Sequence, residues 1–377
     1  MLSLTPELTA TVLHSLSQVD LACVALVSKS FLVIARPILY QSITLYQGSI
    51  FVKDTFQLLT SDRPLALQCT RLHLHTEHQM TGPTWLDFDA LRQLTHLQDL
   101  QLDGCPFYTE IEQQEFVDLS AQSWTRLSEL VYWHGTMRLG SNMHTMFPGQ
   151  SFRICGLKKI IWHEAGCFSH SAAMSLIIAN SPTLCELKLP LHFDDFACDA
   201  SSQLWSLSFP RLEIFHLGYP LDPGDHDIDV QLTIFLVAHP SIRDLALGFA
   251  SDDEWSISLS SDNLTVDMLP HLRALHANVN VLTSILRAGV EFTCTLEELS
   301  TGDGLVPFPD EDLSSFIDAL ESAGGLPQLK VMRFEPGESL GDHRDRLKDA
   351  IACMAKLCPA LEVLSGSLPS MSTNAIV

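Results

Sequence analysis

Basic residues are scarce in this chain: 22 lysines and arginines stand against 45 aspartates and glutamates, a formal charge of −23. Proteins that track phosphate draw their affinity from many Lys and Arg contacts, so nucleic acid is not an expected partner, nor is an anionic membrane surface. Cysteine motifs are also missing. The ten cysteines contain no CxxC pair, and Cys353 and Cys358 come closest to one. That spacing excludes a zinc ribbon and a compact disulfide framework, and it fits a reducing compartment. Apolar runs are short; Ala172–Ala179, with Ser175 inside it, could not cross a bilayer. The opening MLSLTPELTATVLHSL has no basic segment and carries Glu7, so it does not read as a signal peptide, and the expected location is cytoplasmic or nuclear. Catalytic motifs are absent too. There is no GxSxG, GxxxxGK or HExxH, and Gly302-Asp303-Gly304 runs into LVPF without the third glycine of a dinucleotide loop. The expectation is a protein that is not an enzyme and takes no cofactor. With 46% hydrophobic and 18% charged residues, the 377 positions suffice for an extensive core.

What the chain has in abundance is a repeat. An apolar residue, two variable ones, an apolar residue, one variable and a third apolar residue recur as Leu97, Leu100, Leu102 and as Leu127, Leu130, Tyr132. The pattern returns from starts at 69, 157, 184, 212, 242, 272, 296, 329 and 361, spaced 24 to 33 residues apart. Between copies, Phe88–Leu94, Ala172–Ala179, Val230–Val237, Val281–Ala288, Leu313–Ala319 and Arg346–Leu357 carry apolar residues at helical spacing. Pro182, Pro240, Pro327 and Pro359 precede strands, as suits a helix stop. Each unit is then a short strand plus a helix that cannot bury its own apolar face, so the units must stack. The pattern resembles the leucine-rich repeat over roughly residues 65–377. The resemblance implies an α/β solenoid, a curved horseshoe with a parallel sheet on its concave side. The family's usual Asn or Cys after the last leucine occurs here only as Cys105 and Asn280.

Residues 1–46 fall outside the repeat and read as three short helices. The first starts at Thr5-Pro6-Glu7, where a threonine cap, a proline and an acid agree with helix-start chemistry. Asp20 is expected to cap a second helix over Leu21–Leu26, and a third runs from about Lys29 to Arg36, ending before Pro37. The segment LTPELTATVLHSLSQVDLACVALVSKSF is similar to the F-box without gaps, through Leu4, Pro6, Glu7, Leu8, Leu13, Leu16, Asp20, Leu21, Ala25, Leu26, Val27, Ser28, Lys29 and Phe31. Thr5 departs from the family's usual proline. The division is thus an F-box over 1–46 and a leucine-rich-repeat domain over 47–377. The resemblance implies a substrate-recognition subunit of an SCF-type cullin–RING ubiquitin ligase, docked on a Skp-type adaptor and through it on a cullin. Leu4, Pro6, Glu7, Leu8, Leu13, Leu16, Leu21, Val27 and Phe31 would carry the adaptor contact. The alternative is a leucine-rich-repeat scaffold or ligand-binding protein whose degenerate F-box does not serve ubiquitin transfer.

In each repeat, the residues flanking the inward apolar positions face outward from the sheet. Gln101, Asp103, Trp133, His163, Lys188, His216, His276 and Arg333 are the candidate target-binding residues, with Trp133 as anchor because tryptophan is enriched in binding hot spots. Acids at 194–195, 222–229, 252–254 and 310–312 lie between strands and the following helices, on what would be one rim suited to a basic segment of a target. His73, His75 and His78 are the densest histidine group, but no adjoining Cys or Asp completes a tetrahedral set, so no metal is expected. Asp225, Asp227 and Asp229 imitate a calcium loop, yet Val230 and Leu236 stand where it needs glycine and glutamate.

Overall fold

The computed structural model describes residues 5–76, 85–104, 106–107, 109–133, 153–163, 170–189, 203–218, 228–247, 268–288, 295–301, 310–333 and 344–365. The chain divides into two compact units, Met1–Asn180 and Ser181–Val377. In the first, strands β1 (Ser42–Tyr46), β2 (Arg71–His75), β3 (Asp99–Asp103), β4 (Glu129–Trp133) and β5 (Lys159–Trp162) pair in parallel in chain order. In the second, β6 (Glu186–Leu189), β7 (Ile214–Leu217), β8 (Asp244–Leu247), β9 (Ala274–Ala277), β10 (Glu298–Ser300), β11 (Val331–Arg333) and β12 (Val363–Ser365) do the same. Each unit is an α/β solenoid of the leucine-rich-repeat type.

The hexamer pattern accounts for every strand from β2 onward. Its second and third apolar positions are the inward residues: Leu72 and Leu74, Leu100 and Leu102, Leu130 and Tyr132 are buried, and so are Leu187, Leu217 and Leu245. Period-two alternation sends the intervening residues to the opposite, open face. Repeats are also tied through the backbone. Within each unit, one carbonyl just ahead of a strand accepts two successive N–H groups from the next repeat: Gln98 O takes Ser128 N and Glu129 N, and Arg243 O takes Arg273 N and Ala274 N. These paired bonds carry the register from one repeat to the next.

One strand lies outside the eleven repeats read from sequence, β1. The sequence division at residue 46 falls at its end, yet Ser42–Tyr46 pairs residue for residue with Arg71–His75 and is the first member of the sheet. Ile43 and Leu45 are buried, as the inward positions of the later strands are.

Helices lie between the strands. The first unit holds α1 (Pro6–His14), α2 (Gln18–Val27), α3 (Lys29–Leu39), α4 (Phe51–Ser61), α5 (Arg63–Ala66), α6 (Phe88–Arg92), α7 (Glu110–Ser123) and α8 (His170–Asn180). The second holds α9 (Ile228–Ala238), α10 (Val279–Arg287), α11 (Asp310–Ser322) and α12 (Arg344–Leu357). Several starts are fixed by side-chain caps. Thr109 and Glu112 form a reciprocal capping box at α7, and Asn278 Oδ1 accepts from Val281 N at 2.9 Å at α10. Asn280, at the position of the repeat family's usual Asn or Cys, is exposed in the first turn of α10. A buried asparagine does tie strands and helix together elsewhere. Asn180, the last residue of α8, accepts from Leu157 N and donates to the Ile154 and Leu176 carbonyls.

Two helix boundaries near the N-terminus differ from the sequence expectation. Ser17, not Asp20, caps α2: its hydroxyl accepts from Asp20 N, and it donates to Asp20 Oδ2 at 2.6 Å. Helix α3 does not stop before Pro37 but continues to Leu39 with the proline inside its last turn. So close to the helix end, the missing proline N–H costs little, and Tyr40 N still closes on Arg36 O.

Candidate functional site

Two surfaces collect the residues singled out from sequence: the outer side of α1–α3, and the open face of each sheet.

Helices α1–α3 fold around a small core of Leu13, Leu21, Ala25 and Ala35, with Leu16, Val24, Ile34, Ile38 and Leu39 packed against it. Leu13 and Leu21 therefore cannot offer a contact surface, which corrects their place among the expected adaptor-binding residues. Three short helices need their best-spaced leucines to hold themselves together. The exposed apolar residues are others. Leu26 is 87% exposed, Val27 72% and Leu8 54%, and Val12, Val19, Phe31, Leu32 and Val33 are exposed as well. Of the remaining expected residues, Glu7 is exposed, Leu16 is half-buried, Pro6 opens α1, and Leu4 lies outside the described residues.

On the open face of the first unit, equal register aligns side chains into rows. Ser42, Arg71, Asp99, Glu129 and Lys159 form one row, and Thr44, His73, Gln101, Val131 and Ile161 a second. The third runs Tyr46, His75, Asp103 and Trp133. His163, one residue beyond β5, continues it, because Tyr132 pairs with Trp162 just before. The first row alternates loose ion pairs, Arg71 with Asp99 and Lys159 with Glu129, each at 4.0 Å. Burial raises the Asp99 pKa, with the neighbouring Glu129 charge adding to it, against the pull of Arg71 and Lys159.

The third row is closely packed. The Tyr46 ring sits 5.1 Å from that of His75, and His75 Nδ1 contacts Asp103 Oδ2. Trp133 stacks on His163 with centroids 4.5 Å apart and planes 24° from parallel, and it remains 52% exposed. Immediately after Asp103 the chain turns at Gly104, φ +84°, where a Cβ would come within 3.0 Å of Thr76. Only glycine allows that turn. His73 stands edge-on to His75, with ring centroids 6.2 Å apart; burial pushes its pKa down, against the opposing attraction of Asp103. His73, His75 and Asp103 thus bring three ligand-type atoms within 4.8 Å of one another. Sequence reasoning considered the histidines but not Asp103, which arrives from the next strand. Aligning the repeat starts at 69 and 97 would have placed position 103 beside position 75. His78 lies outside the described residues.

In the second unit the open face centres on Asp244. Its Oδ1 lies 3.0 Å from His216 Nε2 and 3.5 Å from His276 Nε2. Burial alone would raise the Asp244 pKa; hydrogen bonds from the two histidines outweigh it and hold the carboxyl well below the usual carboxylate range. Ala246, paired with His216 on one side and His276 on the other, was expected to face solvent but is fully buried. The His216 and His276 rings stand edge-on to each other, with centroids 6.0 Å apart. Lys188 reaches Glu186 at 3.2 Å, and Arg333 pairs with Glu298. The expected target-binding residues thus all lie on open faces, Gln101, Asp103, Trp133 and His163 in the first unit and Lys188, His216, His276 and Arg333 in the second. Most are engaged with neighbours, and Trp133 offers the largest exposed apolar area. Residues 194–195, 222–227 and 252–254 lie outside the described residues, as do the side chains of 228–229 and 310–312.

No family model and no curated protein matches the sequence. Among solved structures, the chain is similar to one from the crystal structure of the Rad7 and Elc1 complex in yeast, with a TM-score of 0.41 and 15% identity over 98% of this chain and 91% of that one. It is also similar to the leucine-rich repeat-containing protein LegL7 from Legionella pneumophila, with a TM-score of 0.43 and 14% identity over 86% of this chain and 91% of that one. No helix among the described residues is long and apolar enough to cross a membrane.

Proposed function

We propose that this protein is a substrate-recognition subunit of an SCF-type cullin–RING ubiquitin ligase. Its N-terminal helices act as an F-box that docks on a Skp-type adaptor, and its repeats hold the target. The observation that carries the reading is the apolar surface of α1–α3: a three-helix unit that spends four residues on its core leaves Leu8, Leu26 and Val27 largely exposed. Contiguous exposed apolar residues mark an interaction site, and the F-box resemblance of this segment supplies the partner. Leu26 and Val27 end α2, and Phe31 lies in the first turn of α3, so the contact centres on that junction.

The mechanism is tethering. The adaptor fixes one end of the chain near the ubiquitin-loaded enzyme, and the open sheet face raises the local concentration of target lysines. No residue of this chain makes or breaks a bond. Trp133, stacked on His163, is the anchor for the target.

The test uses the full chain and a purified Skp-type adaptor. Wild type should form a complex, and Leu26→Asp with Val27→Asp should abolish it while leaving the repeat unfolding transition unchanged. Adaptor binding that survives this double change, or never occurs with the native chain, would sink the reading. Binding of adaptor and target without ubiquitin transfer in a reconstituted ligase would favour the scaffold alternative.

A further inference from the structure

We propose that His73, His75 and Asp103 form a binding site for a divalent ion of the zinc class on the open face of the first unit. The site follows from strand geometry. Residues two apart on β2 point the same way, which sets the two imidazoles side by side, and the parallel register places Asp103 of β3 next to His75. The candidate ligand atoms already lie within 4.8 Å of one another. A four-coordinate zinc ion with bonds of about 2.0–2.1 Å sets its ligands roughly 3.3 Å apart, so modest side-chain rotation closes the set. The contact between His75 Nδ1 and Asp103 Oδ2 would open, and the imidazole would bind the ion through one ring nitrogen with its hydrogen on the other.

The donors select the ion. Two imidazole nitrogens and one carboxylate suit zinc, cobalt or nickel, whereas calcium and magnesium prefer oxygen alone. The surroundings favour a cation: Asp99 is near enough to act on His73, and its Oδ1 has no hydrogen-bond partner. The Tyr46 ring flanks His75 on the side opposite Asp103. Three protein ligands leave one coordination position toward solvent, open to water or to a donor atom of whatever docks beside Trp133. The site stands independently of the ubiquitin-ligase reading.

The experiment is a titration of metal-stripped full-length protein with Co²⁺, followed by visible absorption, and with Zn²⁺ in competition. One equivalent should bind with the ligand-field bands of a nitrogen and oxygen set. A thiolate charge-transfer band would instead report ions held by the cysteines. His73→Ala and Asp103→Asn should each weaken that equivalent about tenfold or more, while His216→Ala leaves it unchanged. Circular dichroism without metal checks the fold. Asp103→Asn keeps the side-chain shape and decides the matter alone if His73→Ala does not fold. A wild type that binds no such equivalent, one that binds only through thiolates, or an equivalent held at full affinity by Asp103→Asn overturns the site.

Discussion

Asn180 Nδ2 donates to the Ile154 carbonyl at 2.8 Å, joining the last residue of α8 to the segment that leads into β5. The same side chain accepts from Leu157 N at 2.9 Å and is wholly buried. Removing it takes away the partner of the Leu157 N–H and of the Ile154 carbonyl, each loss costing about 1–3 kcal/mol. Asn180→Ala should therefore lower stability by about 2–6 kcal/mol, read as a fall in the urea unfolding midpoint. A shift near zero would show that water replaces the amide.

His239 gives a pH dependence with a defined sign. Phe209 N donates to its Nε2 at 2.9 Å, and its Nδ1 faces the Phe235 carbonyl at 2.6 Å, so the packed ring is neutral with its hydrogen on Nδ1. Burial pushes its pKa down, opposed in part by the Phe235 carbonyl. The unfolded chain then binds the proton more readily, so the stability His239 contributes is present above about pH 6.5 and is lost as pH falls through the lower folded value. Urea midpoints should rise with pH over that window, and His239→Leu should flatten the rise.

Asp244 acts lower on the pH scale. Its folded pKa is depressed, so its contribution is present above the unfolded value of about 3.9 and disappears as pH falls through the folded value. Asp244→Asn should be less stable than wild type at pH 5, and the gap should narrow steadily below about pH 4. A gap that stays constant down to pH 2 would mean that the two histidines do not hold the carboxylate.

Trp133→Ala tests target capture. A tryptophan that anchors an interface contributes on the order of 2 kcal/mol, so affinity for a captured target should fall about 30-fold. Adaptor binding should not change, because Trp133 lies on β4, away in sequence from α1–α3. Target affinity measured by calorimetry checks this, and an unaltered value would move recognition off the open face of the first unit.

The repeats were legible because burial enforces them: a misplaced Leu187 or Leu245 would lose its core position, so the hexamers persist, and eleven of the twelve strands among the described residues were read from them. Strand β1 escaped although Tyr40, Ile43 and Leu45 complete a hexamer, because Ser42-Ile43-Thr44-Leu45 follows directly on the N-terminal helices and was grouped with them. Exposed faces are less constrained, and their contacts cross between strands far apart in sequence. Asp103 beside His75 and the two histidines converging on Asp244 depend on register, which becomes readable only once the strands are aligned. The N-terminal helices show the opposite limit. An apolar residue there serves either the core or the surface, and spacing alone did not separate Leu13 and Leu21 from Leu8 and Leu26.

The row from Tyr46 through His75, Asp103 and Trp133 to His163 is also a ruler. Its members recur once per strand, about every 4.8 Å. A polyproline II chain laid across the strands advances about 3.1 Å per residue and returns its side chains to one face every third residue, so one turn covers roughly two strand spacings. Such a chain falls into phase with every second member of the row: a side chain set over Tyr46 is followed three residues later by one over Asp103, and three after that by one over His163. A target segment of that conformation crossing the row would therefore meet it at every third position and not at the two between.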